Sequence, residues 1–274
     1  MRTRRPSAGS NAIAAIGAAV SVYAPEIGAH QQWLVPNVFQ VPEAPAWVSF
    51  DHTFGDRRFR PGSGPSSYYR WWFVGSDGLR RSVPALFLGK TRTVGEVELE
   101  TPGTYRLEGE EASMPWTLLS IEGKQTWQPG TRQDFPQAAV VRSTVYFNKA
   151  ASYVTLGAPS TMALAPTGDP LEIVFSVDPT ALRAKTAFDV TVLASGEPVS
   201  QQAVLLYSED GSAHDEAAVQ CVTNGEGACE LTTAAAGRYL LITERTGTES
   251  AVPGTDGYSH SVTITIEVQA AALP

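Results

Sequence analysis

The sequence predicts an all-β protein made of two antiparallel β-sandwich domains. After residue 29 no stretch keeps a helical period for more than a turn or two, whereas short segments of alternating apolar and polar residues recur along the chain. Residues 262–268, Val-Thr-Ile-Thr-Ile-Glu-Val, have the two-residue period of a half-buried strand. Glycine, proline and aspartate bound such segments at short intervals, which is typical of sandwiches.

The first half of the chain is aromatic. It carries all six tryptophans, including the adjacent pair Trp71 and Trp72. The pattern predicts strands at residues 47–50, 68–74, 96–99, 103–107, 116–121 and 139–147. We assign residues 30–156 to an N-terminal β-sandwich domain.

The second half has no tryptophan and is rich in valine, threonine and alanine. Its strands are predicted at residues 172–177, 188–194, 203–207, 218–223, 229–232, 238–244 and 261–268. Prolines and glycines interrupt regular structure at 157–170, which we interpret as a linker. Two cores with different side chains indicate a second domain at 171–274.

Cys221 and Cys229 are the only cysteines. Asn224-Gly225 and Glu226-Gly227 between them favour a turn, so we expect a hairpin centred on Gly225 that places the cysteines opposite each other. In an oxidising compartment this spacing predicts a structural disulfide.

The first 29 residues have the pattern of a secretory signal peptide. Three arginines within Met1–Arg5 precede an apolar stretch at 12–24, and a small residue, Ala29, stands at the expected cut. We therefore expect a periplasmic protein whose mature chain begins at His30. The apolar stretch is too short to cross a membrane, and no later stretch comes closer, so no membrane span is expected in the mature chain.

Charge excludes one class of partner. The whole chain has 20 basic and 28 acidic residues, and removing 1–29 leaves 17 against 27, a net charge of −10. A surface this acidic lacks the basic patch that nucleic acid binding needs, so no nucleic acid partner is expected.

Three histidines are candidate metal ligands: His30, His52 and His260. An N-terminal His30 would offer an amine and an imidazole to Ni, Co or Cu. Strand alternation puts His52 on one face with Phe50 and Phe54, where it is either a ligand or a buried, hydrogen-bonded histidine. No pair has a local metal-ligand spacing, so any site must be assembled in space. For this the N-terminus must fold back along 50–54, with 33–35 as an apolar anchor.

Signatures of common hydrolases are missing. The chain has no Gly-x-Ser-x-Gly elbow, no His-Glu-x-x-His and no phosphate-binding loop. The residues therefore give no sign of these hydrolase classes. One catalytic alternative stays open, a copper enzyme that uses the His30 amine and imidazole together with His52.

Several segments in order resemble an exported family of unknown function whose members are associated with nickel and cobalt uptake. They are 29–36, 153–159, 166–174, 196–199, 223–227, 236–240 and 258–264. The resemblance implies two β-sandwich domains, the second similar to immunoglobulin-like or transthyretin-like modules, and Ala29-His30 matches the family's start. This chain departs from the family pattern at Asp178, where relatives are expected to have a histidine before the proline.

The resemblance implies that the chain is not an enzyme but a binding or accessory protein for a transition metal or its chelate, working with an outer-membrane receptor or a transporter component. A different class remains open, an exported structural module that contacts such a receptor or a glycan and binds no metal. Fold alone does not choose between them.

Overall fold

The protein is almost entirely β-structure, which confirms the predicted sandwich class. The computed structural model describes residues 31–55, 57–62, 64–65, 68–210, 217 and 219–271; His30 and the signal-peptide segment lie outside them. The strands are β1 Gln31–Pro36, β2 Gln40–Val41, β3 Ala46–Gly55, β4 Arg70–Val74, β5 Arg80–Ser82, β6 Ala85–Leu88, β7 Thr93–Leu99, β8 Gly103–Ile121, β9 Lys124–Pro129, β10 Ala139–Leu156, β11 Glu172–Phe175, β12 Ala187–Ala194, β13 Glu197–Pro198, β14 Ala203–Ser208, β15 Val219–Val222, β16 Ala228–Thr232, β17 Gly237–Gly247 and β18 Gly257–Val268. Short 3₁₀ turns occupy Arg132–Asp134, Met162–Leu164 and Pro179–Ala181.

These strands form three sheets. Sheet 1 has the order β1-β3-β7-β6, and sheet 3 contains β11, β12, β13 and β16. Sheet 2 has ten strands with the main order β15-β14-β17-β18-β10-β8-β4-β5, while β2 and β9 pair with β10 and β8. Nearly all pairs are antiparallel, but β10 runs parallel to β18 and to β2. Sheet 2 therefore continues from the first half of the chain into the second.

Strand β10 supplies side chains to both hydrophobic cores. Phe147 and Tyr153 point into the core that sheet 3 covers, whereas Val154 and Leu156 point into the core under sheet 1. Successive side chains of a strand face opposite sides of its sheet, so a strand in a middle layer can feed two cores. The two predicted cores exist, and they share a central sheet. The division into 30–156 and 171–274 as separate domains stays a prediction.

The beginning of the described chain is anchored as the sequence predicted. Strand β1 pairs antiparallel with β3, Gln31 opposite Gly55 and Leu34 opposite His52. Leu34 packs into the first core, whereas Trp33 packs on the opposite side against Leu205, Tyr207, Leu240 and Ile242 of the second half. Strand β1 thus packs against both halves of the molecule.

Residues 157–170, interpreted from the sequence as a linker, are mostly exposed but contact the sheets at several points. Ala163 and Leu164 are buried. The Ser160 hydroxyl accepts a hydrogen bond from the Thr104 amide at 3.0 Å, and the Lys149 ammonium contacts Asp169 at 2.6 Å. Proline and glycine shape the turns of this segment, while the contacts that hold it come from partners distant in sequence.

The disulfide between Cys221 and Cys229 is present, as predicted. The expected hairpin between them is wrong, because β15 pairs with β14 in sheet 2 and β16 pairs with β12 in sheet 3. The turn at Asn224–Gly227 therefore carries the chain from one sheet to the other. The disulfide ties together the two sheets that enclose the second core.

Candidate functional site

His52 is fully buried, and both of its ring nitrogens are engaged. Its Nδ1 accepts a hydrogen bond from Trp71 Nε1 at 2.9 Å, and its Nε2 lies 3.1 Å from Gln32 Oε1. The indole N–H of Trp71 can only donate, so Nδ1 carries no proton and the Nε2–H of the neutral ring donates to Gln32. This arrangement is that of a structural histidine, the second of the two roles open from the sequence.

Burial keeps the His52 ring neutral. It lowers the pKa of the imidazole from 6.5 to about 3. The rings of Phe54, Tyr69 and Trp71 surround it at centroid distances of 5.1–6.0 Å. On the facing strand, a Cβ at Gly109 would lie 2.5 Å from Nδ1, so the backbone of β8 approaches the ring where only glycine fits.

Two buried polar atoms beside His52 have no protein partner within the described residues: Gln32 Nε2 and the Tyr69 hydroxyl. Burial and the neighbouring Glu111 carboxylate raise the pKa of Tyr69 well above its usual range. Tyr69 directly precedes Arg70, which lies opposite Glu110 where β4 pairs with β8. Buried polar groups are ordinarily hydrogen-bonded, so these atoms mark a place for a water or a ligand group.

His260 lies in β18, in a different sheet from His52. Its ring packs on Tyr258 and Phe147, at centroid distances of 4.5 and 6.0 Å. Burial, and then the nearby charge of Arg245, lower the pKa of His260. It is a half-buried histidine among aromatic rings.

The structure does not complete a metal site from the histidines it describes. Within that part of the chain, no three histidine, cysteine, aspartate or glutamate side chains are placed to hold a metal ion. For His52 to bind one, it would have to give up its bond to Trp71 or to Gln32. A site that combines His30 with His52 or His260 stays a prediction, because His30 is not among the described residues.

A network of charged side chains lies between β5, β8 and β10. Glu108 is completely buried and contacts the Arg106 guanidinium at 2.8 Å, the Lys149 ammonium at 2.7 Å and the Arg80 guanidinium at 2.9 Å. Arg80 also contacts Glu110, and Lys149 reaches Asp169. The network attaches the 157–170 connection to the central sheet.

Asp178, which stands where relatives are expected to have a histidine, is also structural. One carboxylate oxygen accepts hydrogen bonds from the hydroxyls of Thr104 at 2.7 Å and Thr155 at 3.1 Å. The other accepts from the amide and the hydroxyl of Thr180, both at 2.8 Å. The carboxylate closes the turn at Pro179–Ala181 onto the end of β8 and β10.

Family membership comes from a comparison with known families. The family model described as a domain of unknown function, DUF4198, matches residues 27–247. The chain belongs to the DUF4198 family. No curated protein matches the DUF4198 chain. No helix within the described residues is long and apolar enough to cross a membrane.

The DUF4198 chain has distant likenesses among solved structures. It aligns with a DUF4785 family protein from Legionella pneumophila at 10% identity and a TM-score of 0.26, covering 80% of this chain and 53% of that one. It aligns with a DUF3823 family protein from Bacteroides uniformis at 10% identity and a TM-score of 0.26, covering 88% of this chain and 100% of that one. It aligns with Escherichia coli alpha-2-macroglobulin at 10% identity and a TM-score of 0.24, covering 88% of this chain and 20% of that one. Such distant likenesses carry no argument about function.

Sequence reasoning missed the polar side chains around His52 and the charged network. Gln32 lies 20 residues from His52, and Trp71 lies 19 residues from it. The alternation Tyr105-Arg106-Leu107-Glu108 places charges on one face of β8, which by itself suggests a solvent-facing side. The cations that bury this face come from β5 and β10 of the DUF4198 chain, a pairing that no local pattern announces.

Proposed function

We propose that this chain is an exported, non-enzymatic binding protein of the periplasm that serves the uptake of a transition metal ion (Ni, Co or Cu) or its chelate. Support comes from the signal-peptide pattern, the acidic composition and the family resemblance described from the sequence. The observation that carries most weight is the position of β1, which starts at Gln31, one residue after His30.

The ion-binding group in this proposal is the N-terminus itself. Cleavage after Ala29 leaves the α-amine and the imidazole of His30 side by side, two nitrogen donors of the type that Ni²⁺ and Cu²⁺ prefer. Gln32 is only 3% exposed, and its Oε1 accepts the His52 hydrogen bond. His52 is thus a positioning residue, because it holds Gln32, two residues after His30 in the sequence.

Calorimetry with Ni²⁺ tests the proposal. Protein that begins at His30 is compared with the same chain carrying His30→Ala and with the free peptide His-Gln-Gln-Trp. We expect His30→Ala to weaken binding at least about tenfold, the order expected for a lost ligand when outer-shell changes alone cost 10–100-fold. We expect the peptide to bind more weakly than the protein because its terminus is not held. Equal affinities for protein and peptide would reduce the site to the chelation that any N-terminal histidine gives.

A second candidate function is a structural or interaction module that contacts an outer-membrane receptor or a glycan and binds no metal. Strand β6 favours it. This strand ends sheet 1 and exposes Leu86, Phe87 and Leu88, of which Phe87 is 70% exposed. An apolar edge strand is a template for pairing with another chain. Phe87→Asp would abolish capture of such a partner and leave Ni²⁺ binding unchanged.

The copper-enzyme alternative gains no support from the geometry. It requires His52 as a third nitrogen ligand, and both nitrogens of that ring already take part in hydrogen bonds.

A further inference from the structure

One end of the central sheet carries an aromatic face that lies beyond sheet 1. The core under sheet 1 takes Tyr105 and Leu107 from β8, and Ala150, Val154 and Leu156 from β10. Both strands continue past it, with β9 added at the edge. The same side of the sheet then presents Trp116, Trp127 and Tyr146, with Tyr68 beside them; we call these four residues the aromatic face.

The rings of the aromatic face stand in two pairs. Trp127 and Tyr146 meet edge to face with centroids 5.8 Å apart, and Tyr68 and Trp116 do so at 5.5 Å. Trp116 lies opposite Thr144, two residues before Tyr146 on β10, so the pairs are diagonal neighbours. Trp127 and Tyr68 are each 38% exposed, and the other two rings are half-buried.

Planar hydrogen-bonding groups accompany these rings. The Glu111 carboxylate accepts bonds from Trp116 Nε1 at 3.2 Å and from Asn148 Nδ2 at 2.7 Å. The Arg142 guanidinium lies 5.4 Å from the Trp127 ring centre. A carboxylate, an amide and a guanidinium on one face supply both donors and acceptors, and their opposite charges leave no strong field of one sign.

The inner end of the face holds an unsatisfied group. The Tyr69 hydroxyl, which is buried near the Glu111 carboxylate, has no hydrogen-bond partner within the described residues. A ligand hydroxyl or a bridging water at this point would satisfy it. This observation is independent of the exposed rings, and it also points to a polar ligand.

We propose that the aromatic face binds a neutral oligosaccharide. The rings offer apolar surfaces for the C–H faces of sugar rings, while Glu111, Asn148 and Arg142 pair with hydroxyl groups. An anionic polymer would meet a chain of net charge −8 and the Glu111 carboxylate beside these rings. A purely apolar partner would leave the carboxylate and the amide without new bonds. This inference goes beyond the proposed metal function and does not depend on it.

The test uses cellohexaose, maltohexaose and chitohexaose as probes, with the full mature chain in the presence of a chelator. Calorimetry and tryptophan fluorescence should detect binding of at least one of them. Trp127→Ala should weaken that binding at least about tenfold, the size expected for truncating a central aromatic contact. The matched control is Trp47→Ala, since Trp47 is 60% exposed on β3 and lies away from the face.

Three results would overturn the proposal. The first is no signal with any of the three probes at millimolar concentration. The second is binding that Trp127→Ala leaves intact, or that Trp47→Ala weakens equally, with both variants shown to be folded by urea unfolding. The third is self-association that Trp127→Ala abolishes while no sugar binds, which would assign the face to a second copy of the chain.

Discussion

Replacing Glu108 by glutamine removes the charge at the centre of the buried network while keeping the size of the side chain. Burial raises the pKa of this carboxyl, but Lys149, Arg106 and Arg80 outweigh burial and lower it from 4.5 to about 2. At 1.36 kcal/mol for each tenfold change in an equilibrium constant, that lowering corresponds to about 3 kcal/mol of folding free energy. Breaking a buried ion pair on one side costs about 3–5 kcal/mol by mutational experience, which agrees.

Urea unfolding followed by tryptophan fluorescence at pH 7 measures this loss. We expect Glu108→Gln to lower the free energy of unfolding by about 3 kcal/mol, a large part of the 5–15 kcal/mol that holds a typical domain. The control is Asp51→Asn, which breaks the exposed ion pair between the Asp51 carboxylate and the Arg92 guanidinium, 2.9 Å apart. It should lower the free energy of unfolding by at most about 1 kcal/mol.

The pH dependence supplies a second readout. Because the folded pKa lies below the unfolded one, the stability from Glu108 is complete above pH 4.5 and disappears as the pH falls towards 2. The difference between wild type and Glu108→Gln should therefore shrink across that window. Two results would contradict a stabilising charge on Glu108. One is a loss of stability in Glu108→Gln no larger than that in Asp51→Asn, and the other is a difference between Glu108→Gln and wild type that does not change with pH.

Four further predictions use the same unfolding assays or simple chemistry. Gly109→Ala should cost about 1–3 kcal/mol, because the new methyl group must displace the His52 ring. Between pH 6.5 and about pH 3, His52 is protonated in the unfolded chain but neutral in the folded protein. The free energy of unfolding should therefore fall by about 1.4 kcal/mol for each unit that the pH is lowered in this range, and His52→Gln should lack this contribution. Cys221→Ser with Cys229→Ser should cost about 2–3 kcal/mol, as should reduction of the wild type. Thermolysin should cut segment 157–170 slowly in the native protein, because contacts at Ala163, Leu164 and Asp169 hold this otherwise exposed segment against the sheets.

Controls make these four predictions decisive. Gly225→Ala is the control for Gly109→Ala, because a Cβ at position 225 would meet nothing within 4 Å. A loss of stability as large as that of Gly109→Ala would contradict the steric explanation. An unchanged pH slope in His52→Gln would show that another group carries it. Full alkylation of both thiols in unreduced, denatured protein would contradict the disulfide. Early cleavage within 157–170 would mean that this segment opens without unfolding of the sheets.

Local patterns predicted most of the longer strands, but they missed β1, β2, β5, β6, β9 and β13 and divided β8 into 103–107 and 116–121. They also did not show how many layers the strands share. At β10, Ala150 and Ala151 are adjacent and both buried, as expected for a strand covered on both faces. An apolar run in the sequence can indicate that both faces of the strand are buried. It does not show that the two faces pack into different cores. The polar run Glu108–Glu111 hid the middle of β8, because its burial depends on cations from other strands.

The role of His52 shows the same division between local and distant information. Alternation along Phe50–Phe54 correctly placed the ring on a buried face. Whether a buried histidine binds a metal or stabilises the fold depends on what its two nitrogens meet. Those groups, on Gln32 and Trp71, belong to other strands and are seen only in three dimensions.

In the proposed function the N-terminal His30 holds the metal ion while His52 stays a neutral structural residue. Long-range ¹H–¹⁵N correlation spectra of the histidine rings test this division most directly, with Zn²⁺ titrated into protein that begins at His30. We expect the His52 nitrogens to keep the shifts of a neutral ring protonated at Nε2 throughout the titration, while the His30 signals move in proportion to added ion. Stoichiometric movement of the His52 signals, with the His30 signals unchanged, would contradict it.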